Sequence, residues 1–218
     1  MSADSASELC ARLRGYGSST VGAVLDDLGL GGLITGIRPV AAGLKFAGPA
    51  FTVKLEVGEL GSFPETDFKI GEYIDQPPAG AVVAIDMAGA PVSALGGIAT
   101  RVAQRHGLAA IVIDGGSRDL DETRVMGFPL FVRHSLPVTG RRRVRLIGTG
   151  IPIQIDGIAV SPGDILVGDD TGIVRVAVGM LEQVANRAGA IDQRDRRVRA
   201  LVEQGLGFTE AFGQVGKS

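Results

Sequence analysis

Residues 81–135 constrain the fold more than any other stretch. "AVVAIDMAG" (residues 81–89) is a continuous apolar run of the kind needed by a strand buried on both faces. After Gly96-Gly97, "IATRVAQRHG" puts Ile98, Val102 and Ala103 on one helical face and stops at Gly107, a C-cap residue. "LAAIVID" is a second buried strand, "LDETRVMG" a second short helix and "PLFVRH" a third strand. Strand, helix, strand, helix, strand in so short a span predicts parallel pairing through right-handed crossovers.

The flanks read differently. Ser18-Ser19-Thr20 followed by Val21, Val24, Leu25 and Leu28 predicts an N-capped amphipathic helix ending at Gly29. "GLGLGGLITG" has the glycines of a phosphate loop but not the GxGxxG spacing, since Ile34 stands three after Gly31, so it reads as turns. "FAGPAFTVKLEV" (Phe46–Val57) is strand-like, with Thr52, Lys54 and Glu56 alternating against Phe51, Val53 and Leu55. Residues 58–78 are loop-rich and polar, with a short helix expected around Ile70 to Asp75. From Arg141 onward the period becomes two, with strands separated by Asp-Gly, Pro-Gly and Thr-Gly turns, which predicts antiparallel hairpins. Residues 180–205 form a long charged helix. No linker interrupts the chain. The expectation is one α/β domain over 1–218, with a core of about 18–178 and a C-terminal helical segment of about 180–215.

Composition removes several function classes. Glycine is 33 of 218 residues, about twice the usual ~7 %, and dispersed, which fits tight turns between short strands. Cys10 is the only cysteine and His106 and His134 the only histidines, so a disulfide framework and a Cys- or His-built zinc centre are excluded. A metal would have to be held by oxygen, which points to magnesium or a similar hard cation. A net charge of −2 gives no global attraction for nucleic acid. Apolar runs stop well short of the roughly 18 residues a membrane span requires. Residues 1–5 show neither a basic start nor an apolar signal core, so a soluble cytoplasmic protein is expected.

The candidate site lies where two strands of the core end. In open parallel sheets, ligands bind beyond the carboxyl ends of the strands. A helix starting at Gly96-Gly97 would leave the backbone N–H groups of Gly97, Ile98 and Ala99 as donors for a carboxylate or phosphate. If strand 109–114 lies beside strand 81–89, then "DGGSRD" brings Arg118 and Asp119 to the same edge. An anion cradle, a guanidinium and a metal-binding carboxylate suit an α-keto acid and the charge that develops on its keto oxygen. A plain reading stands beside this one: Ser117 as N-cap of the next helix, with Arg118 and Asp119 a surface ion pair. Elsewhere the plain readings are preferred. Residues 169–172 ("DDTG") read as a hairpin turn, and the arginines of "GRRRVR" (residues 140–145) as the solvated face of a strand.

Taken together, "STVGAVLDDLG", "FAGPAFTV", "GGIATRVAQRHGLAAIVIDGGSRDLDE", "FPLFVR" and "VSPGDILVGDDTGIVRV" resemble the regulator of ribonuclease activity A (RraA-like) family over residues of about 18–205. That family includes metal-dependent 4-hydroxy-4-methyl-2-oxoglutarate aldolases that also decarboxylate oxaloacetate. The resemblance implies a swivelling β/β/α fold, assembled as a homotrimer or hexamer with sites between subunits. It implies Mg²⁺ or Mn²⁺ on Asp119, Arg118 on the keto oxygen, and Gly96, Gly97, Ile98 and Ala99 around the pyruvate carboxylate. It also implies an acidic residue supplied by a neighbouring subunit, which falls on Asp195. Aldolases of the family carry an acid after the first glycine of the helix-start loop, where this chain has Gly97. The alternative function is a protein-binding ring without chemistry, of the ribonuclease-regulator type. The rest of a substrate would meet loop 58–78.

Overall fold

The computed structural model describes residues 3–216. In chain order, α1 (Ala3–Tyr16) and α2 (Ser18–Asp27) precede two short strands, β1 (Leu33–Ile34) and β2 (Arg38–Pro39), and the long β3 (Phe46–Val57). A single 3-10 turn (Glu65–Asp67) and α3 (Ile70–Ile74) lead into β4 (Val82–Asp86), β5 (Ser93–Leu95), α4 (Gly97–Arg105), β6 (Ala110–Ser117), α5 (Leu120–Met126) and β7 (Leu130–Ser135). Then come β8 (Val144–Thr149), β9 (Ile153–Ile155), β10 (Ile158–Val160), β11 (Ile165–Asp169), β12 (Gly172–Val176), α6 (Leu181–Glu203) and α7 (Phe208–Val215).

Ten strands share one sheet in the order β1-β12-β11-β3-β4-β6-β7-β2, with β5 added to β6 and β8 to β3. The β3-β4-β6-β7 run is parallel, as the buried apolar strands require. The β11–β12 and β9–β10 pairs are antiparallel hairpins, as the turn residues predict. β8 departs from that expectation. It pairs antiparallel with β3 and not with its neighbour in sequence.

Three apolar cores follow from this topology. Val83, Ile85, Ile111 and Ile113 point to one face of the parallel strands and pack under α3, α4 and α5. Val82, Ala84, Ala110 and Val112 point to the other face, against Phe46, Ile153 and Ile155. Leu9, Leu13, Val21, Val24 and Leu25 of the N-terminal helices join Val184 and Ala188 of α6 over β11 and β12. Two sheet regions and a helical layer make the β/β/α arrangement.

Two local expectations are corrected. Thr52 was expected on a polar face of β3 but is fully buried, and its hydroxyl has no hydrogen-bond partner. The reason is that β3 is an interior strand covered on both faces. Ile98 was expected on the buried face of α4 but is 84 % exposed and lines the cavity, while Gly97 and Thr100 form the buried side of the same turn.

Candidate functional site

The two halves of the candidate site come together. β5 adds parallel to β6, with Ser93 opposite Gly116 and Leu95 opposite Ser117, so the chain leaves both strands at one edge. α4 starts at Gly97, with Gly96 at its N-cap in extended backbone (φ −139°). Arg118 and Asp119 follow β6 directly. Ser117 does not cap α5. It is the fully buried last residue of β6, and its hydroxyl donates to the Leu95 carbonyl at 3.1 Å, tying the two strand ends together. Asp119 occupies the cap position instead, in the left-handed region (φ 57°, ψ 40°). A non-glycine residue held there is uncommon, and it turns the carboxylate back toward α4.

The carboxylate of Asp119 accepts from the Gly97 N–H at 3.2 Å through Oδ2, and Arg118 Nε stands 3.5 Å from the same oxygen. Gly97 is therefore not a free donor, which corrects the expected three-amide cradle. The Ile98 and Ala99 amides are left at the helix start, where no intrahelical acceptor exists. Gly96 leaves room for this arrangement: a Cβ there would displace the Asp119 carboxylate and press on the Arg118 side chain. A Cβ on Gly97 would stand 2.6 Å from Glu122 Oε2.

These groups form one end of a cavity of about 450 Å³, a size suited to a small metabolite. Leu95, Gly96, Ile98, Ala99, Arg118 and Asp119 line that end. The opposite wall comes from residues 65–75, with Phe68, Ile70 and Ile74, so the loop expected to meet the rest of a substrate does line the cavity. The rim carries Thr139, Gly140 and Arg141. Tyr73 anchors the wall: its buried hydroxyl, which burial pushes far above its ordinary pKa, donates to the Ala94 carbonyl at 2.8 Å. Arg141 is a residue that sequence reasoning missed. Its neighbours "RRRVR" suggest a strand, but β8 begins only at Val144, and Arg141 sits in the preceding turn.

Asp195 does not join the site within one chain. It is half-buried on α6 and pairs with its own neighbour, Arg194 Nη2 to Oδ1 at 3.1 Å. Among the described residues, no three His, Cys, Asp or Glu side chains converge as a metal cage. A single carboxylate still fits a cation that keeps most of its water shell, since Asp119 commits only Oδ2 to the protein and the missing Cβ of Gly96 leaves that oxygen its room.

A second cleft, of about 980 Å³, opens across the sheet. There Lys54 Nζ donates to Asp86 at 2.8 Å, and Arg133 bridges Asp114 and Asp156 at 2.6 Å each. Its hydrogen bonds to the Asp114 and Asp156 carboxylates raise the Arg133 pKa. Burial alone would raise Asp156, but Arg133 and the Gly36 and Thr35 amides outweigh it and hold that carboxyl low. His134 Nε2 is spent on the Gly89 carbonyl at 2.9 Å. The carboxylates are already paired, so this network fastens the β9–β10 hairpin to the ends of β4 and β6.

Sheet order and cavity together define an α/β protein with a cavity at the carboxyl ends of parallel strands. The sequence matches the RraA-like family (Aldolase/RraA) over residues 21–175, and the chain belongs to that family. It is 28 % identical to "Protein DlpA" of Legionella pneumophila over 95 % of this chain, yet it spans about a third (34 %) of that protein's length. It is 34 % identical, over 61 % of this chain and 77 % of the relative, to a protein of Albidiferax ferrireducens named "Putative 4-hydroxy-4-methyl-2-oxoglutarate aldolase". The crystal structure of Streptomyces coelicolor RraAS2, described as an unusual member of the RNase ES inhibitor RraA family, superposes with a TM-score of 0.80. The identity is 26 %, covering 88 % of this chain and 97 % of that one.

Proposed function

We propose that this protein is a divalent-cation-dependent lyase acting on pyruvate-derived keto acids, by aldol cleavage of the 4-hydroxy-4-methyl-2-oxoglutarate type, by decarboxylation of oxaloacetate, or by both. The observation that carries the reading is the meeting of Arg118, Asp119 and the α4 N-terminus at one end of the cavity. The names of the aldolase relatives support the same class.

The roles follow from chemistry. The Ile98 and Ala99 amides, at the positive end of a helix, bind the 1-carboxylate of the keto acid. Arg118 donates to the keto oxygen and offsets charge as it develops there. Asp119 holds Mg²⁺ or Mn²⁺, which when bound supplies Lewis acidity toward the keto oxygen. Both reactions break a bond to C3 and leave the pyruvate fragment as its enolate, so one set of groups serves both. In an assembly of trimers or hexamers, Asp195 of a neighbouring copy would complete the site.

The test is pyruvate release from oxaloacetate with and without EDTA, in wild type and Asp119→Ala. The expected outcome is loss of turnover in EDTA, recovery with Mg²⁺ or Mn²⁺, and loss in the variant with its fold and oligomer unchanged. Equal turnover in EDTA removes the cation from the mechanism. The second reading, a protein-binding ring without chemistry, draws on the glycine at position 97, where family aldolases carry an acid. No turnover of either substrate by folded, metal-loaded wild type would favour it.

A further inference from the structure

We propose that Arg141 is a specificity residue that pairs with the distal carboxylate of the substrate, exchanging it for Glu65. This rests on the keto-acid reading of the cavity.

Only two of the residues lining the cavity are cations. Arg118 belongs to the Asp119 end. Arg141 stands at the rim, where its Nη1 meets Glu65 Oε1 at 3.1 Å. The wall includes Phe68, Ile70, Ile74 and Val102. Apolar groups accept the middle of a ligand but cannot replace the water around a second carboxylate, so that group has to reach the rim. The rim also carries the carboxylates of Glu65 and Asp75, which repel an anion unless a cation stands among them. Arg141 is the cation that stands among them, offsetting one of the two charges.

Its placement is fixed at the root and free at the tip. A Cβ on Gly140 would lie 2.5 Å from the Phe68 ring and 2.5 Å from the Ser93 carbonyl, so only glycine lets the turn lie against the cavity wall. The Arg141 amide donates to Thr139 Oγ1 at 3.2 Å. Beyond that root, the side chain is 68 % exposed and its partner Glu65 58 % exposed. An ion pair this exposed contributes little and opens easily. A carboxylate held at the far end of a bound ligand needs no further immobilisation and takes both arms of the planar guanidinium.

The experiment is calorimetric binding, with Mg²⁺ present, of 2-oxoglutarate and of 2-oxopentanoate, the monocarboxylate of equal length. Wild type, Arg141→Gln and Glu65→Gln are compared. Neither acid needs to react, so the result is independent of turnover. Arg141→Gln is expected to weaken 2-oxoglutarate by about tenfold or more, the usual effect of losing a hydrogen bond to a charged group, and to leave 2-oxopentanoate within about twofold. Glu65→Gln should tighten 2-oxoglutarate, because its competitor for Arg141 is gone. Equal losses for both acids in Arg141→Gln, or weakening of 2-oxoglutarate in Glu65→Gln, would overturn the assignment and leave the ion pair a brace of the rim. If wild type binds 2-oxoglutarate selectively but does not release pyruvate from oxaloacetate, the lyase reading fails and Arg141 stands. If wild type binds neither acid, both fail.

Discussion

Gly97 shows how one missing side chain sets a chemical bias. Aldol cleavage requires the substrate hydroxyl to lose a proton, and a positioned acid or base contributes about 10²–10⁴-fold to such a step. Decarboxylation of a β-keto acid needs no such transfer. Wild type is therefore expected to decarboxylate oxaloacetate better than it cleaves hydroxy-methyl-oxoglutarate. Gly97 begins α4 outside the left-handed region, so its backbone accepts a side chain. The obstacle is Glu122, whose carboxylate fills the space. A new carboxylate beside Glu122 and Asp119 would also meet their like charge. Gly97→Asp alone should therefore gain little. Gly97→Asp with Glu122→Ala, which clears both the space and the charge, should raise the aldolase rate about tenfold relative to the decarboxylase rate. Efficient aldol cleavage by wild type would show that another group handles the proton.

The same residue scale separates what could be read in the sequence from what could not. Arg118 and Asp119 were legible because the site needs only the end of a buried strand and two glycines to bring them to an edge. The role of Gly97 as donor to Asp119 was not, since it depends on a left-handed turn at position 119 that the sequence does not specify. Arg141 was hidden by its neighbours, whose alternation mimics a strand that begins three residues later.

At the scale of elements, the hairpin β11–β12 holds more than a turn. Asp169 ends β11 and reaches the first turn of α2: Ser18 N–H donates to Oδ2 at 2.8 Å and the Ser18 hydroxyl to Oδ1 at 2.6 Å. The helix start was legible at Ser18, but the expected serine cap was not borne out: the cap position is Gly17, and the group that satisfies Ser18 lies 151 residues away, where no local pattern reveals it. α1 was missed for a related reason, since among its described residues it buries no more than Leu9, Cys10 and Leu13, with Ala6 and Tyr16 at the margin of the core, and has no strong capping signal. Burial opposes ionisation of Asp169, but the bonds from Ser18 and Thr171 prevail and lower its pKa. The folded pKa lies below the unfolded one, so the contribution is complete above about pH 4 and is lost as pH falls through the lowered folded value. Asp169→Asn should cost about 2 kcal/mol at neutral pH and flatten the loss of stability below about pH 4. Urea midpoints measured across pH for both proteins check this. An unchanged acid limb would show that Asp169 is not the group responsible.

At the scale of the whole molecule, the open question is whether a site spans two copies. Asp195 lies half-buried on α6 and is not among the residues lining its own cavity. If it serves a neighbour, mixing inactive Arg118→Ala and Asp195→Ala proteins under subunit exchange should restore part of the activity, because some mixed interfaces carry both intact residues. Labelled subunits must first demonstrate exchange by mass spectrometry. Exchange without restoration would place Asp195 outside the chemistry and leave it a surface charge.

The twelve residues of β3 pair with β4 just downstream, with β8 further on, and with β11 near the end of the sheet-forming sequence. During synthesis this strand must wait. Its first third, Phe46 to Pro49, has its antiparallel partner only when residues 165–168 have emerged. Non-local pairing of this kind delays the rewarding contacts until a long loop has closed, so folding should fall in the millisecond-to-second range and not the microsecond range of helical bundles. A stopped-flow refolding experiment measures it directly, and sub-millisecond refolding would contradict the idea. Until that closure the nascent chain exposes an apolar strand edge, which is where self-association would begin.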